Sequence, residues 1–118
     1  MKVLLTGGAG FVGRPVRDQL AAAGHTIRVF DRVLDQRDDL TDHDRLLAAA
    51  TGCDAVIHLA AKVGLGVDIL DIDEYALHNG YGTAVALRVA AEVGISRFVY
   101  ASSMVVYGEG RYRCAEHG

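Results

Sequence analysis

Residues 6–13 read TGGAGFVG, and what surrounds them decides the fold. Upstream, Lys2 to Thr6 is a short aliphatic run halted by Gly7, the pattern of a strand buried on both faces. Downstream, Val12, Val16, Leu20 and Ala23 recur at helical spacing and form one apolar face, closed by Gly24. Only Gly24, His25 and Thr26 precede a second β-rich run over 27–31. Strand, helix and strand in that order make a right-handed βαβ unit. Within the turn each glycine has its own task. Gly7 permits the sharp exit from the strand, Gly10 lets backbone approach a pyrophosphate, and Gly13 allows close packing of helix on strand. The helix N-terminus then offers free amides and a positive dipole end to an anion. A nucleoside triphosphate loop requires Gly-Lys-Ser/Thr, whereas Arg14 and Pro15 follow Gly13, which disfavours that class. Pro15 lacks an amide donor, so a tightened or late helix start is expected.

Asp31 stands eighteen residues after Gly13 at the end of the second β-rich run. A carboxylate there accepts hydrogen bonds from both adenosine ribose hydroxyls and repels a 2′-phosphate, which favours NAD. Arg32 beside it suits stacking on adenine or attraction of that phosphate, so NADP stays as the alternative.

The remaining chain continues the alternation. Thr41 and Asp44 form a capping pair for a short helix carrying Leu46, Leu47 and Ala50, ended by Gly52. A buried strand follows over 54–60. Asp71 and Glu74 open a long helix with Val85, Val89 and Val93 on one face and Gly94 past its end. The last strand falls at 97–102. Between Asp31 and Thr41 the stretch VLDQRDDL is polar and too short for a regular strand with its turns. The expected architecture is therefore a doubly wound parallel α/β sheet of Rossmann type, truncated, in strand order 3-2-1-4-5 with strand 3 short or absent. With strand 3 absent, the edge of the second strand either pairs with another chain, as in a homodimer, or is blunted by the acidic loop. The tail over 108–118 has no period and reads as loop.

Composition bounds the function classes. The 118 residues are sized for one domain, 51% hydrophobic and 23% charged, enough to bury a core. A net charge of -3 without a basic cluster argues against nucleic acid as a partner. No apolar run approaches the roughly 18 residues of a membrane span, and only three aliphatic residues precede the glycines, so a cytoplasmic chain without a signal peptide is expected. Cys53 and Cys114 then read as free thiols. Cys114 and His117 have the spacing of half a zinc site, but a structural site takes four ligands and the chain holds no second pair, so no metal is expected.

Taken in order, TGGAGFVG, Asp31, the Asp39-Leu40 pair, HLAA at 58–61, NGYGT at 79–83 and VYASSMVVYG at 99–108 resemble the extended short-chain dehydrogenase/reductases. The resemblance is to the nucleotide-sugar epimerases and dehydratases, and it covers residues 2–108. It implies that the glycine loop, with Phe11 and Val12, holds the pyrophosphate, that Asp39 reaches the adenine, and that Leu59, Ala60 and Ala61 line the nicotinamide side. It also implies that Asn79 anchors active-site backbone near the cofactor. That role would account for a polar residue amid helix-weakening Gly80 and Gly82, each costing about 1 kcal/mol relative to Ala. Ser103 aligns with the family's catalytic Ser/Thr, whose hydroxyl meets the substrate oxygen being oxidised, and Tyr107 and Gly108 fall on the substrate-pocket wall.

One family motif has no counterpart. The general base of the family is a tyrosine with lysine four residues on, and no tyrosine of this chain has that partner. Tyr107 has Arg111 at that interval but lies only four residues past Ser103, too near to be the family's base. The resemblance thus implies the dinucleotide-binding portion (1–118) of a longer NAD-dependent epimerase or dehydratase, with the region that binds a nucleotide sugar outside it. A dinucleotide-sensing module without catalysis is the rival, since fold does not fix function. The stretch AAKVG at 60–64 resembles the GDP-fucose synthase branch and VVYG the galactose epimerases, so the sugar stays unassigned.

Overall fold

In a computed structural model, residues 1–64, 68–110 and 114–116 are described. Four parallel strands form one sheet: β1 Lys2–Thr6, β2 Thr26–Phe30, β3 Ala55–His58 and β4 Arg97–Tyr100. Their spatial order is β2-β1-β3-β4, which is the expected order with its third strand missing. Residues 31–42, where that strand would stand, run as turns. Arg45 organises them, its guanidinium reaching Asp38 and Asp35, while Arg37 donates to both carboxylate oxygens of Asp35. These ion pairs hold the Asp35 carboxyl well below its ordinary range, the Arg37 hydrogen bonds being the largest cause.

Alternation along the strands assigns the two faces. Leu4 of β1, Phe30 of β2 and Val56 of β3 enter one core with Leu46 and Ala50 of α2 (His43–Ala50) and Val85, Ala86, Val89 and Ala90 of the last helix. Val3 and Leu5 point to the opposite face, where α1 (Gly13–Ala22) packs on β1 and β2. Pro15 is the third residue of α1, within the turn whose amides have no partner inside the helix. Gly24 ends this unit with φ of 78°.

Both expected capping pairs are corrected. Asp42, not Thr41, caps α2, its carboxylate accepting from the Arg45 amide at 3.0 Å, while the Thr41 hydroxyl donates to Asp39. Nor do Asp71 and Glu74 open the next helix. It begins as a 3-10 turn over Ile69–Asp71 under the carboxylate of Asp68, then becomes α3 (Ile72–Tyr75), a π-helical segment (Ala76–Tyr81) and α4 (Gly82–Glu92). Asp71 makes no side-chain cap there. In both places a carboxylate nearer the first free amides takes the role that spacing alone gave to another residue. The strands are also shorter than the expected 54–60 and 97–102, so Leu59, Ala60, Ala101 and Ser102 lie beyond the sheet.

Candidate functional site

At the carboxyl ends of β1, β2 and β3 the chain opens into a cavity of about 540 Å³. Gly7, Gly10, Phe11, Val12 and Gly13 form one wall, Asp31 and Arg32 with Leu40 a second, and Leu59, Ala60 and Ala61 a third. Sequence reasoning left out Phe30, Val33, Asp38, Lys62, Val63, Glu74 and His78, which line it too.

The glycine wall is shaped by close approaches. Gly7 has φ of 70°, and a Cβ on it would lie 2.6 Å from the Ala60 amide nitrogen. A Cβ on Gly13 would collide with the Gly7 carbonyl oxygen and the Gly8 backbone. Gly10 is different, since a Cβ there would meet only the Gly7 carbonyl, at 3.3 Å, beside the cavity. The N-terminus of α1 has no side-chain cap and no acid in its first turn, so its dipole end is left to an anion. A dinucleotide fits this cradle: the glycine backbone and helix end suit its pyrophosphate, and a carboxylate stands where ribose would lie. That carboxylate is Asp31, which accepts from the Ala9 amide at 2.8 Å and the Val33 amide at 2.9 Å and so ties the glycine loop to the end of β2.

The third wall hangs from a buried polar chain. The Ala60 amide donates to the Thr6 hydroxyl at 3.2 Å, that hydroxyl lies 2.8 Å from His58 Nδ1, and His58 Nε2 lies 3.1 Å from the Thr83 hydroxyl of α4. All partners are satisfied when Nε2 carries the proton and Nδ1 accepts from Thr6. Burial lowers the His58 pKa and keeps the ring neutral. Next along the chain, the Asn79 side chain accepts from the Lys62 amide at 2.7 Å and donates to the Lys62 carbonyl at 2.9 Å. It does so from the π-helical segment, a widened turn of the kind that recurs at functional sites. Lys62 Nζ lies 3.6 Å from Glu74, which is also 3.6 Å from His78 Nε2, and 5.5 Å from the centre of the Tyr75 ring.

Three expected residues are not on the cavity walls. Asp39 lies between two wall residues, its carboxylate accepting from the Thr41 amide and hydroxyl and standing 3.7 Å from Arg32 Nη1. Asn79 stands behind Lys62. Ser103 caps a short 3-10 turn over Met104–Tyr107, its hydroxyl accepting from the Val105 amide at 3.2 Å. Tyr107 is exposed beyond it. His117 and Arg111 lie outside the described residues, and among the described residues no three His, Cys, Asp or Glu groups cluster as a metal site. No helix among them is long and apolar enough to cross a membrane.

A nucleotide-binding α/β sheet with a glycine cradle at its switch point is the class this geometry defines. The profile of the NAD dependent epimerase/dehydratase family matches residues 3–116, and the chain belongs to that family. It is 36% identical to a 3 beta-hydroxysteroid dehydrogenase/Delta 5-->4-isomerase of Mycobacterium tuberculosis, over 93% of this chain and 34% of that protein. It is 30% identical to a UDP-glucose 4-epimerase of Rhizobium meliloti, over 90% of this chain and 36% of that protein. The crystal structure of a UDP-glucose-4-epimerase from Stenotrophomonas maltophila, with bound NAD and formylated UDP-arabinopyranose, superposes with a TM-score of 0.84 at 27% identity, over 95% of this chain and 40% of that one. The chain spans about a third of the length of the curated relatives it matches.

Proposed function

We propose that residues 1–118 are the NAD-binding portion of an enzyme that oxidises a secondary alcohol by hydride transfer, acting on a nucleotide sugar. The observation that carries this reading is the convergence of Gly7, Gly10 and Gly13 with Asp31 and the Leu59, Ala60 and Ala61 turn on one cavity at the strand ends. NAD, when bound, supplies the hydride acceptor. The residues of this chain bind and orient it: the glycine backbone and α1 hold the pyrophosphate, Asp31 receives the ribose hydroxyls, and the turn suspended from Thr6 and His58 supports the nicotinamide end. Asn79 fixes that wall through Lys62, and Ser103 positions the alcohol. With no tyrosine–lysine pair to remove the proton, the chain by itself binds cofactor and turns over nothing.

The relatives divide on substrate. The UDP-sugar epimerases support the nucleotide sugar, whereas the 36% identity to a hydroxysteroid dehydrogenase favours a steroid-like alcohol as the second reading. A sensing module without chemistry is the third, and the presence of both Asn79 and Ser103 argues against it. The test is calorimetric titration of the chain with NAD and NADP, beside Asp31→Ala. NAD affinity is expected to fall more than NADP affinity, since the lost carboxylate favours only free ribose hydroxyls. Equal losses would remove Asp31 from the ribose site, and turnover of a nucleotide sugar by this chain would contradict its inactivity.

A further inference from the structure

The motif NGYGT at 79–83 spans the end of the π-helical segment and the start of α4, and this one turn reaches two walls of the cavity. Asn79 holds Lys62 by two hydrogen bonds. A Cβ on Gly82 would lie 3.0 Å from Leu40 Cβ, so the helix packs directly against the wall that carries Leu40. Thr83 makes the third contact, with a residue behind the wall: its hydroxyl lies 3.1 Å from Nε2 of the buried His58. On the far side of that ring, Nδ1 lies 2.8 Å from the hydroxyl of Thr6, which accepts from the Ala60 amide at 3.2 Å. The fully buried Thr6 gives its one hydroxyl hydrogen to Nδ1, which leaves the ring proton on Nε2 to be donated to Thr83. Ala60 itself has no slack. Its amide nitrogen is what a Cβ on Gly7 would strike at 2.6 Å, so the turn abuts the glycine loop.

We propose that Thr83 is a positioning residue for the dinucleotide, holding the Leu59, Ala60 and Ala61 wall in place through His58 and Thr6. The proposal rests on the dinucleotide reading above and adds to it a residue outside the cavity. Without the Thr83 hydroxyl the buried Nε2–H is left without its acceptor, a cost that the ring relieves by turning toward another one. That turn takes Nδ1 from Thr6, frees the Thr6 hydroxyl to rotate, and removes the fixed acceptor of the Ala60 amide. The spacing between the glycine loop and the third wall is then no longer set.

The experiment compares wild type, T83V, T83S, H58F and the T83V/H58F double variant of the full chain by two readouts, the amide resonance of Ala60 without ligand and the NAD affinity by calorimetry. T83V keeps the shape of Thr83 and removes its hydroxyl. It is expected to move the Ala60 resonance and to raise the NAD Kd about three- to tenfold, the scale of one hydrogen bond. T83S keeps the hydroxyl and should stay within about twofold of wild type. In the H58F background, where the ring has no nitrogens, T83V should change the Kd less than about twofold, because the chain it acts through is already cut. H58L gives the same comparison should H58F not fold. A T83V chain with the Ala60 resonance and the Kd of wild type, a T83S chain as weak as T83V, or an equal T83V loss with and without the His58 ring overturns the proposal alone. Failure of the wild-type chain to bind NAD overturns the dinucleotide reading and the proposal together.

Discussion

Strands β1 and β4 are similar in composition and opposite in environment. β1 carries Leu4 at 1% and Leu5 at 0% exposure, paired on both edges and covered on both faces. β4 carries Val99 and Tyr100 at 60% each, paired with β3, and only its Phe98 packs against the core. The apolar run continues from β4 into Met104, Val105 and Val106, which are exposed as well. Apolar sequence therefore predicts a strand but not its burial; burial depends on what packs beside it. The glycine cradle grows out of the buried strand, and Ser103 out of the exposed one. The cradle's geometry is accordingly held by the core, whereas Ser103 is held by hydrogen bonds within its own turn, its hydroxyl accepting from the Val105 amide and its carbonyl from the Val106 amide.

The contrast breaks first under core truncation. Leu4→Ala should cost about 2–5 kcal/mol, a large part of the stability of a domain this size, while Val99→Ala should stay within about 0.5 kcal/mol. Urea unfolding followed by circular dichroism compares them, and equal costs would mean that β4 is as well covered as β1. Gly13→Ala comes next. Its Cβ meets backbone rather than a yielding side chain, so a loss of about 1–3 kcal/mol is expected together with loss of NAD binding, whereas Gly110→Ala, with open space around it, should change neither.

The smallest effect is the pH dependence, and two histidines oppose each other. Burial lowers the His58 pKa, so below the ordinary value of 6.5 the unfolded chain takes up a proton that the folded one resists, and stability falls on acidification. Hydrogen bonds to Asp44 and then Glu92 raise the His43 pKa, so its contribution is full below 6.5 and lost as pH rises through the folded value. Melting temperatures between pH 5 and 8 should therefore show His43→Gln reducing stability on the acid side only, and a uniform loss across that range would contradict the sign given to His43.

Much of this was legible in local pattern. The glycine spacing, the helix face through Val16 and Leu20, and the polarity of residues 33–40 gave β1, β2, the crossover between them and the missing strand, because each depends on neighbours in sequence. The walls of the cavity that came from elsewhere were harder to see. Asp38, Glu74 and His78 reach it only once the turns of residues 31–42 and the π-helical segment are in place, and no periodicity announces a π turn. The signal that was available was the conflict at Asn79, a polar residue just ahead of Gly80 and Gly82 in an apolar helix. The capping errors have the same origin, since Asp42 and Thr41 are both good caps and the choice was made by Asp39, which takes the Thr41 hydroxyl.

The central claim is that the buried cradle, not the exposed end of β4, receives the dinucleotide. Amide chemical shifts of the isotopically labelled chain, followed as NAD is added, test it residue by residue. The account predicts saturable shifts at Gly10, Phe11, Val12 and Gly13, at Asp31 and Arg32, and at Leu59, Ala60 and Ala61, with Ser103 and Val105 nearly still. Shifts confined to Ser103, Val105 and Tyr107, or none at millimolar NAD, would contradict it.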